Sequence, residues 1–250
     1  MDAVQYGHMN FDSVIADLDA RTAEAVAFYW QTRQRQSTEQ AARGNSDQGS
    51  RSAVTGGAQM DRFLEFIADY LVRVGIPRSS IHFESRLELP GFFRPTKKWD
   101  LLVVKNDQLL VALEAKSQVG SFGNNFNNRT EEAMGSALDL WTAFRERAFN
   151  PSVSPWLGYI FLLQDCDASR RAIRTDEPHF PVFPEFKNAS YATRYELFCR
   201  KLVRERHYTA SAFLLSDDVQ GRNGRYAYPA PDLTIHNFMR SLLGHAIAHV

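Results

Sequence analysis

The sequence predicts an α/β fold, a central mixed β-sheet flanked by helices, with a helical extension at the N-terminus. Three observations carry this. Trp99 to Lys116 holds two runs rich in Val and Leu around Asn106-Asp107, the pattern of two antiparallel strands joined by a tight turn. Trp156 to Gln164 is an apolar run of strand length, as expected of a central strand. Around them lie segments whose apolar residues recur at helical spacing and can cover the sheet.

In chain order, Val14, Leu18, Ala25, Phe28 and Tyr29 predict a long helix over 11–36. A polar, glycine-containing loop follows over 41–59. It reads as a linker in preference to a segment that orders on a polyanion through Arg43 and Arg51. Phe63, Ile67, Tyr70, Leu71 and Val74 predict a helix over 60–74, ended by Gly75 and Pro77, with Glu65 nearly opposite the stripe and solvated. Residues 81–89 read as a strand carrying Glu84 as a reserve carboxylate, and 90–98 as a connection. Thr130 is expected to cap a helix with Glu131 and Glu132 in its first turn and Met134, Ala137, Leu138, Trp141, Arg145 and Ala148 on one side. Pro178, Pro181 and Pro184 make 165–188 irregular, with Arg170, Arg171 and Arg174 adding local positive charge. Residues 191–206 form a basic helix that could lie along a nucleic acid or present a solvated face. A strand over 210–215 and a helix over 233–250 close the chain.

Composition narrows the function. A 44% hydrophobic share over 250 residues supports a sizeable core, and a formal net charge of zero gives no global field for a polyanion, though a local basic groove would suffice. Cys166 and Cys199 are the only cysteines, which argues against a disulfide scaffold or structural zinc and for a reducing cytoplasm. The N-terminus lacks the pattern of a signal peptide, and no apolar run approaches a membrane span. His236, His245 and His249 lack the intervening glutamate of a metalloprotease, so they read as ordinary surface or packing residues. Phosphate-loop, dinucleotide and nucleophile-elbow motifs are missing from the sequence.

The chemistry concentrates in the hairpin. A turn centred on Asn106 and Asp107 leaves Asp100 across from Leu113 or Glu114, and the period of two puts Glu114 and Lys116 on one face. Two carboxylates a few ångströms apart can hold Mg²⁺, which keeps waters for a phosphate to displace, and a lysine beside them can orient water or steady charge on phosphorus. Asp followed by Glu-x-Lys on the next strand therefore suits phosphodiester hydrolysis, though on this spacing alone a surface hairpin with ordinary polar ends fits equally well. Lys97 and Lys98 stand just before Asp100, where a phosphate needs counter-charge. After the Glu-x-Lys strand come Ser117, Asn124, Asn125, Asn127, Asn128 and Arg129, types that pair with base edges; by themselves the asparagines read better as a turn, and their place directly after that strand favours substrate contact.

The run Ala112-Leu113-Glu114-Ala115-Lys116-Ser117-Gln118-Val119-Gly120-Ser121, continued by Asn128-Arg129-Thr130-Glu131-Glu132-Ala133 and preceded by the Asp100 hairpin, resembles the XhoI family of type II restriction endonucleases. Its active-site pattern is that of the wider PD-(D/E)XK nucleases, with Trp99 where the superfamily name has proline. The resemblance implies a restriction-endonuclease-like core and a homodimer that cuts the double-stranded palindrome CTCGAG with Mg²⁺, without ATP, leaving 5′-phosphate ends. It implies Asp100, Glu114 and the carbonyl of Ala115 as metal ligands, Lys116 on the attacking water, and a companion DNA methyltransferase protecting host sites. The chain then reads as one domain: a helical extension and loop over 1–58, a catalytic core over 59–165, and C-terminal helices and strand over 166–250. Competing readings are a repair nuclease or junction resolvase of the same superfamily, a non-catalytic DNA-binding module, and a plain α/β interaction protein.

Overall fold

The computed structural model describes residues 11–42 and 57–250. Most of the loop expected over 41–59, including Arg43 and Arg51, lies outside them. The predicted first helix is divided into α1 (Phe11–Val14) and α2 (Leu18–Ala42), which runs past the expected end. Trp30 of α2 donates from Nε1 to Ser216 Oγ at 2.9 Å, docking the helix on the distant end of the sheet. Helix α3 (Asp61–Arg73) buries Phe63, Phe66, Ile67, Tyr70 and Leu71, and Gly75 ends it at φ +101°.

The predicted strand over 81–89 is two strands in two sheets, β1 (Ile81–His82) and β2 (Glu88–Pro90), because the chain turns between them through Arg86 at φ 59°. The expected connection over 90–98 contains β3 (Thr96–Lys98), antiparallel to β2, so the segment is a short ribbon. Its tip is built on a buried carboxylate: Asp139 Oδ1 accepts from the N–H groups of Phe92 and Phe93 at 2.7 and 2.9 Å, and Oδ2 accepts from Arg94 Nε at 2.7 Å.

The hairpin is β4 (Leu101–Lys105) and β5 (Gln108–Gln118), with Asn106 and Asp107 at φ 52° and 59° in the turn. Its pairing shifts between Val103 and Val104: Val104 faces Leu109, but Val103 faces Val111. Leu110 is therefore an extra residue, and it joins Val111 in one core cluster while Leu109 joins the other.

The Asn-rich stretch is not a connector. It is the first turns of α4 (Phe122–Arg145). Gly120 at φ 63° and Ser121 at φ 44° turn the chain into the helix. Phe122 then stacks on Tyr191 at 5.7 Å and Phe126 meets Tyr195 at 5.0 Å. These i and i+4 aromatic contacts override the weak helix propensity of Gly and Asn. Thr130 consequently lies inside the helix, its hydroxyl donating to the carbonyl of Phe126 at 2.9 Å, and Glu131 and Glu132 are not in a first turn. The buried side is Ala133, Ala137, Leu140 and Ala143, leaving Met134 and Leu138 exposed, contrary to the stripe expected from the sequence.

Strand β6 (Trp156–Gln164) is central, as predicted. A one-turn α5 (Asp167–Arg170) interrupts the irregular segment before α6 (Tyr191–Arg204), β7 (Ala210–Ser216) and α7 (Ile235–Ile247). The main sheet has the order β1-β4-β5-β6-β7; β5, β6 and β7 are parallel and the remaining pairs antiparallel, so it is mixed. Helices α2, α3 and α7 cover one face, and α4 and α6 the other. No helix among the described residues is long and apolar enough to cross a membrane.

Gly158 lies between Leu113 of β5 and Ala210 of β7. A Cβ there would fall 2.3 and 2.5 Å from the ring of Trp156 and 2.9 Å from that of Phe238. Gly158→Ala should lower unfolding stability by about 1–3 kcal/mol through overpacking. An unchanged denaturation midpoint would contradict this packing.

Candidate active site

The shifted register decides which carboxylates meet. A two-residue hairpin without the extra Leu110 would set Leu113 opposite Asp100, and Glu114 would point to the other face. With it, Leu101 pairs with Leu113 and Asp100 comes beside Glu114. The Asp100 N–H donates to the carbonyl of Leu113 at 3.1 Å, and Asp100 Oδ2 accepts from the Ala115 N–H at 2.8 Å. Lys116, one alternation beyond Glu114, places Nζ 3.0 Å from Glu114 Oε1 and 3.5 Å from Asp100 Oδ2. The three residues singled out in the hairpin thus share one face.

Two further groups complete the surroundings of Glu114, whose side chain is only 2% exposed. Lys97 Nζ lies 3.2 Å from Oε1, and the Tyr208 hydroxyl lies 3.2 Å from Oε2 and 3.1 Å from the carbonyl of Ala133. Burial pushes the Glu114 carboxyl up, but the charges of Lys116 and Lys97 and their hydrogen bonds outweigh it and hold the group below the ordinary range. Burial likewise pulls Lys116 down, and the charges of Glu114 and Asp100 overcome this and raise it. Tyr208, desolvated and next to Glu114, is held well above the usual phenol range, so its proton stays on.

Asp100 and Lys116 open onto a cleft of about 860 Å³. Lys98, Ser117, Asn125 and Arg129 line it, as do Glu65 and Glu84. Glu65, expected to be merely solvated, faces the site because α3 packs with its first turn at the cleft, where Glu65 pairs with Arg62 at 2.5 Å. Asn128 joins Asn125 and Arg129 in a neighbouring groove, while Asn124 and Asn127 are exposed on other sides of the same helical turns, away from the cleft. Lys97 turns its ammonium onto Glu114, with its charge 4.5 Å from the Trp99 ring centroid.

Sequence reasoning passed over Asp61, Arg33 and Tyr208. Asp61 lines the cleft and its carboxyl is raised, by burial first and then by Glu65, Asp100 and Glu84. Arg33 reaches the cleft from α2. No local pattern marks any of the three; the acid at the start of α3 was the one signal available. Among the described residues, no three His, Cys, Asp or Glu side chains converge as a closed metal cage. Asp100 and Glu114 are two carboxylates on one face, oxygen donors of the kind that could hold a hard divalent cation.

Comparison with known proteins decides the family. The family model described as restriction endonuclease XhoI matches residues 39–228. The chain belongs to this family. The type II restriction enzyme BstVI of Geobacillus stearothermophilus is 58% identical over 205 residues, covering 80% of this chain and 92% of that protein. The type II restriction enzyme XhoI of Xanthomonas vasicola is 46% identical over 194 residues, covering 76% and 77%. The type II restriction enzyme AbrI of Azospirillum brasilense is 45% identical over 168 residues, covering 66% and 75%. No solved structure matches the chain. As a member of the XhoI family the chain is a restriction endonuclease, a site-specific deoxyribonuclease.

The depressed Glu114 carboxyl gives a pH test. A carboxyl held low in the folded state contributes stability above its unfolded pKa, about 4.3, and loses it as pH falls through the folded value. Glu114→Gln lacks this contribution. Its melting temperature should therefore fall less steeply than the wild type's between about pH 5 and pH 3. Parallel slopes would show that Glu114 is not held below its ordinary range.

Proposed function

We propose that the chain is a Mg²⁺-dependent PD-(D/E)XK restriction endonuclease that acts as a homodimer on the palindrome CTCGAG in double-stranded DNA. It hydrolyses one phosphodiester bond in each strand and leaves 5′-phosphate and 3′-hydroxyl ends. The observation that carries this reading is the meeting of Asp100, Glu114 and Lys116 on one face of a bulged hairpin, at the edge of a cleft lined by Ser117, Asn125 and Arg129.

Asp100, Glu114 and the main-chain carbonyl of Ala115 would hold the cation. When bound, Mg²⁺ supplies Lewis-acid stabilisation of the charge that develops on the phosphoryl oxygens and lowers the pKa of water. Lys116 orients the attacking water for in-line displacement and is kept cationic by Glu114 and Asp100. Lys98, Arg33 and Arg129 supply counter-charge to the DNA backbone. Asn125 and Arg129, one helical turn apart, are the first candidates for base contacts, with Asn128, Asn124 and Asn127 beside them on α4. A two-fold target asks for a two-fold protein, one Asp100, Glu114 and Lys116 set for each strand. The setting is the cytoplasm, where a DNA methyltransferase of the same specificity protects the host's sites. The chain is read as one domain, with α2 contributing to the cleft through Arg33.

The test is a Mg²⁺-dependent digest of unmethylated plasmid, with the ends sequenced. Discrete fragments ending within CTCGAG are expected for the wild type and none for Asp100→Asn or Glu114→Ala. Ragged or structure-dependent cutting would move the chain to the repair and resolvase class. Arg129→Ala and Asn125→Ala should each weaken binding to the cognate duplex by about 1–3 kcal/mol in a competition assay. An unchanged preference for cognate DNA would remove that residue from the readout.

A further inference from the structure

Glu114 has more positive charge around it than an active-site acid needs. Lys116 and Lys97 both lie against the same oxygen, at 3.0 and 3.2 Å. Lys116 borders the cleft, but Lys97 does not: its side chain is 11% exposed and approaches Glu114 from β3. The Lys97 ammonium is held three ways, by Glu114, by the carbonyl of Lys98 at 3.2 Å, and by the Trp99 ring at 4.5 Å. A lysine so confined is poorly placed to follow a phosphate into the cleft.

Its charge still reaches the metal position. Asp100 and Glu114 are matched one for one by Lys116 and Lys97. The cleft lining repeats the balance, with Asp61, Glu65, Glu84 and Asp100 against Arg33, Lys98, Lys116 and Arg129. A divalent cation entering such a site finds carboxylate ligands whose charge is already compensated. The missing negative charge is what a DNA phosphate carries.

We propose that Lys97 is a positioning and charge-balancing residue that keeps Glu114 neutralised in the DNA-free enzyme, so that divalent cation binds strongly only together with the target phosphate. This rests on the metal-dependent nuclease reading above and deepens it: Lys97 keeps cation affinity low until the substrate's charge is added. Such coupling restrains cleavage chemistry away from DNA without any moving part. Tyr208 touches the other oxygen of Glu114 as a neutral donor, so it contributes orientation without charge.

The experiment is a Mn²⁺ titration followed by the electron paramagnetic resonance signal of free Mn²⁺. It is run with and without a CTCGAG duplex carrying phosphorothioates at the scissile positions. In the wild type, duplex should tighten Mn²⁺ binding at least about tenfold, as expected for a unit charge acting close to a poorly solvated site. Lys97→Met should bind Mn²⁺ without DNA at least about tenfold more tightly than the wild type. Lys97→Arg, which keeps the charge, and Tyr208→Phe, which changes none, should behave as the wild type does without DNA. If Lys97→Met does not melt cooperatively, Lys97→Gln carries the same expectation. DNA-free affinity that is unchanged or weaker in the neutral variants overturns the proposal, as does an equal gain in Tyr208→Phe. A wild type that binds no Mn²⁺ even with duplex would defeat the metal-dependent reading, and this inference with it.

Discussion

Glu114 is a carboxylate almost wholly removed from water, and an acid in that position is tolerable only if its charge is met from several sides. Three side chains meet it. Lys116 comes from its own strand, Lys97 from the ribbon beside it, and Tyr208 from the approach to β7; the Ala133 carbonyl of α4 engages the same tyrosine. The arrangement is structural in itself, since it ties the sheet, the ribbon and, through Tyr208, the α4 layer to a single oxygen pair. The electrostatics stay coherent because the groups hold one another in their charged states, Glu114 lowered and Lys116 raised.

That convergence depends on one surplus residue. Leu110 sends two successive side chains into the same core, and every residue of β5 after it changes its partner across β4 by one. Because side chains alternate with a period of two, a shift of one transfers a whole strand's polar set to the other face. Glu114 and Lys116 thereby join Asp100 while Leu113 and Ala115 enter the α3 side of the core. The parallel strands β6 and β7 carry the sheet onward, and the helices on both faces leave the cleft at the edge where β5 runs into α4.

Much of the fold was legible because its signals are local. The Asn106-Asp107 turn, the apolar β6 run and the stripe of α3 follow from backbone sterics and from the period of each element. The start of α4 was not legible. Asn and Gly argue locally for a turn, and only Tyr191 and Tyr195, some seventy residues away on α6, supply the packing that makes the stretch helical. The exposed Met134 and Leu138 mislead for the same reason: the helix's phase on the sheet is set by contacts at Phe122 and Phe126 that the stripe does not encode. Glu65 is solvated, as its place opposite the α3 stripe implies, but that side also borders the cleft, which the stripe does not record.

By itself the sequence determined which residue types could do chemistry, and that Glu114 and Lys116 share a face, because strand periodicity is a property of the backbone. It also carried the family resemblance through the stretch after Lys116. It left Asp100 facing either Leu113 or Glu114. Only the tertiary structure decided that choice, because the bulge at Leu110 answers to how two adjacent leucines and a valine divide between opposite cores. The tertiary structure alone also brought Tyr208, Asp61 and Arg33 to the site and turned Lys97 onto Glu114. Their placement is a matter of desolvation and of charge meeting charge across elements distant in the chain, and no local pattern records that.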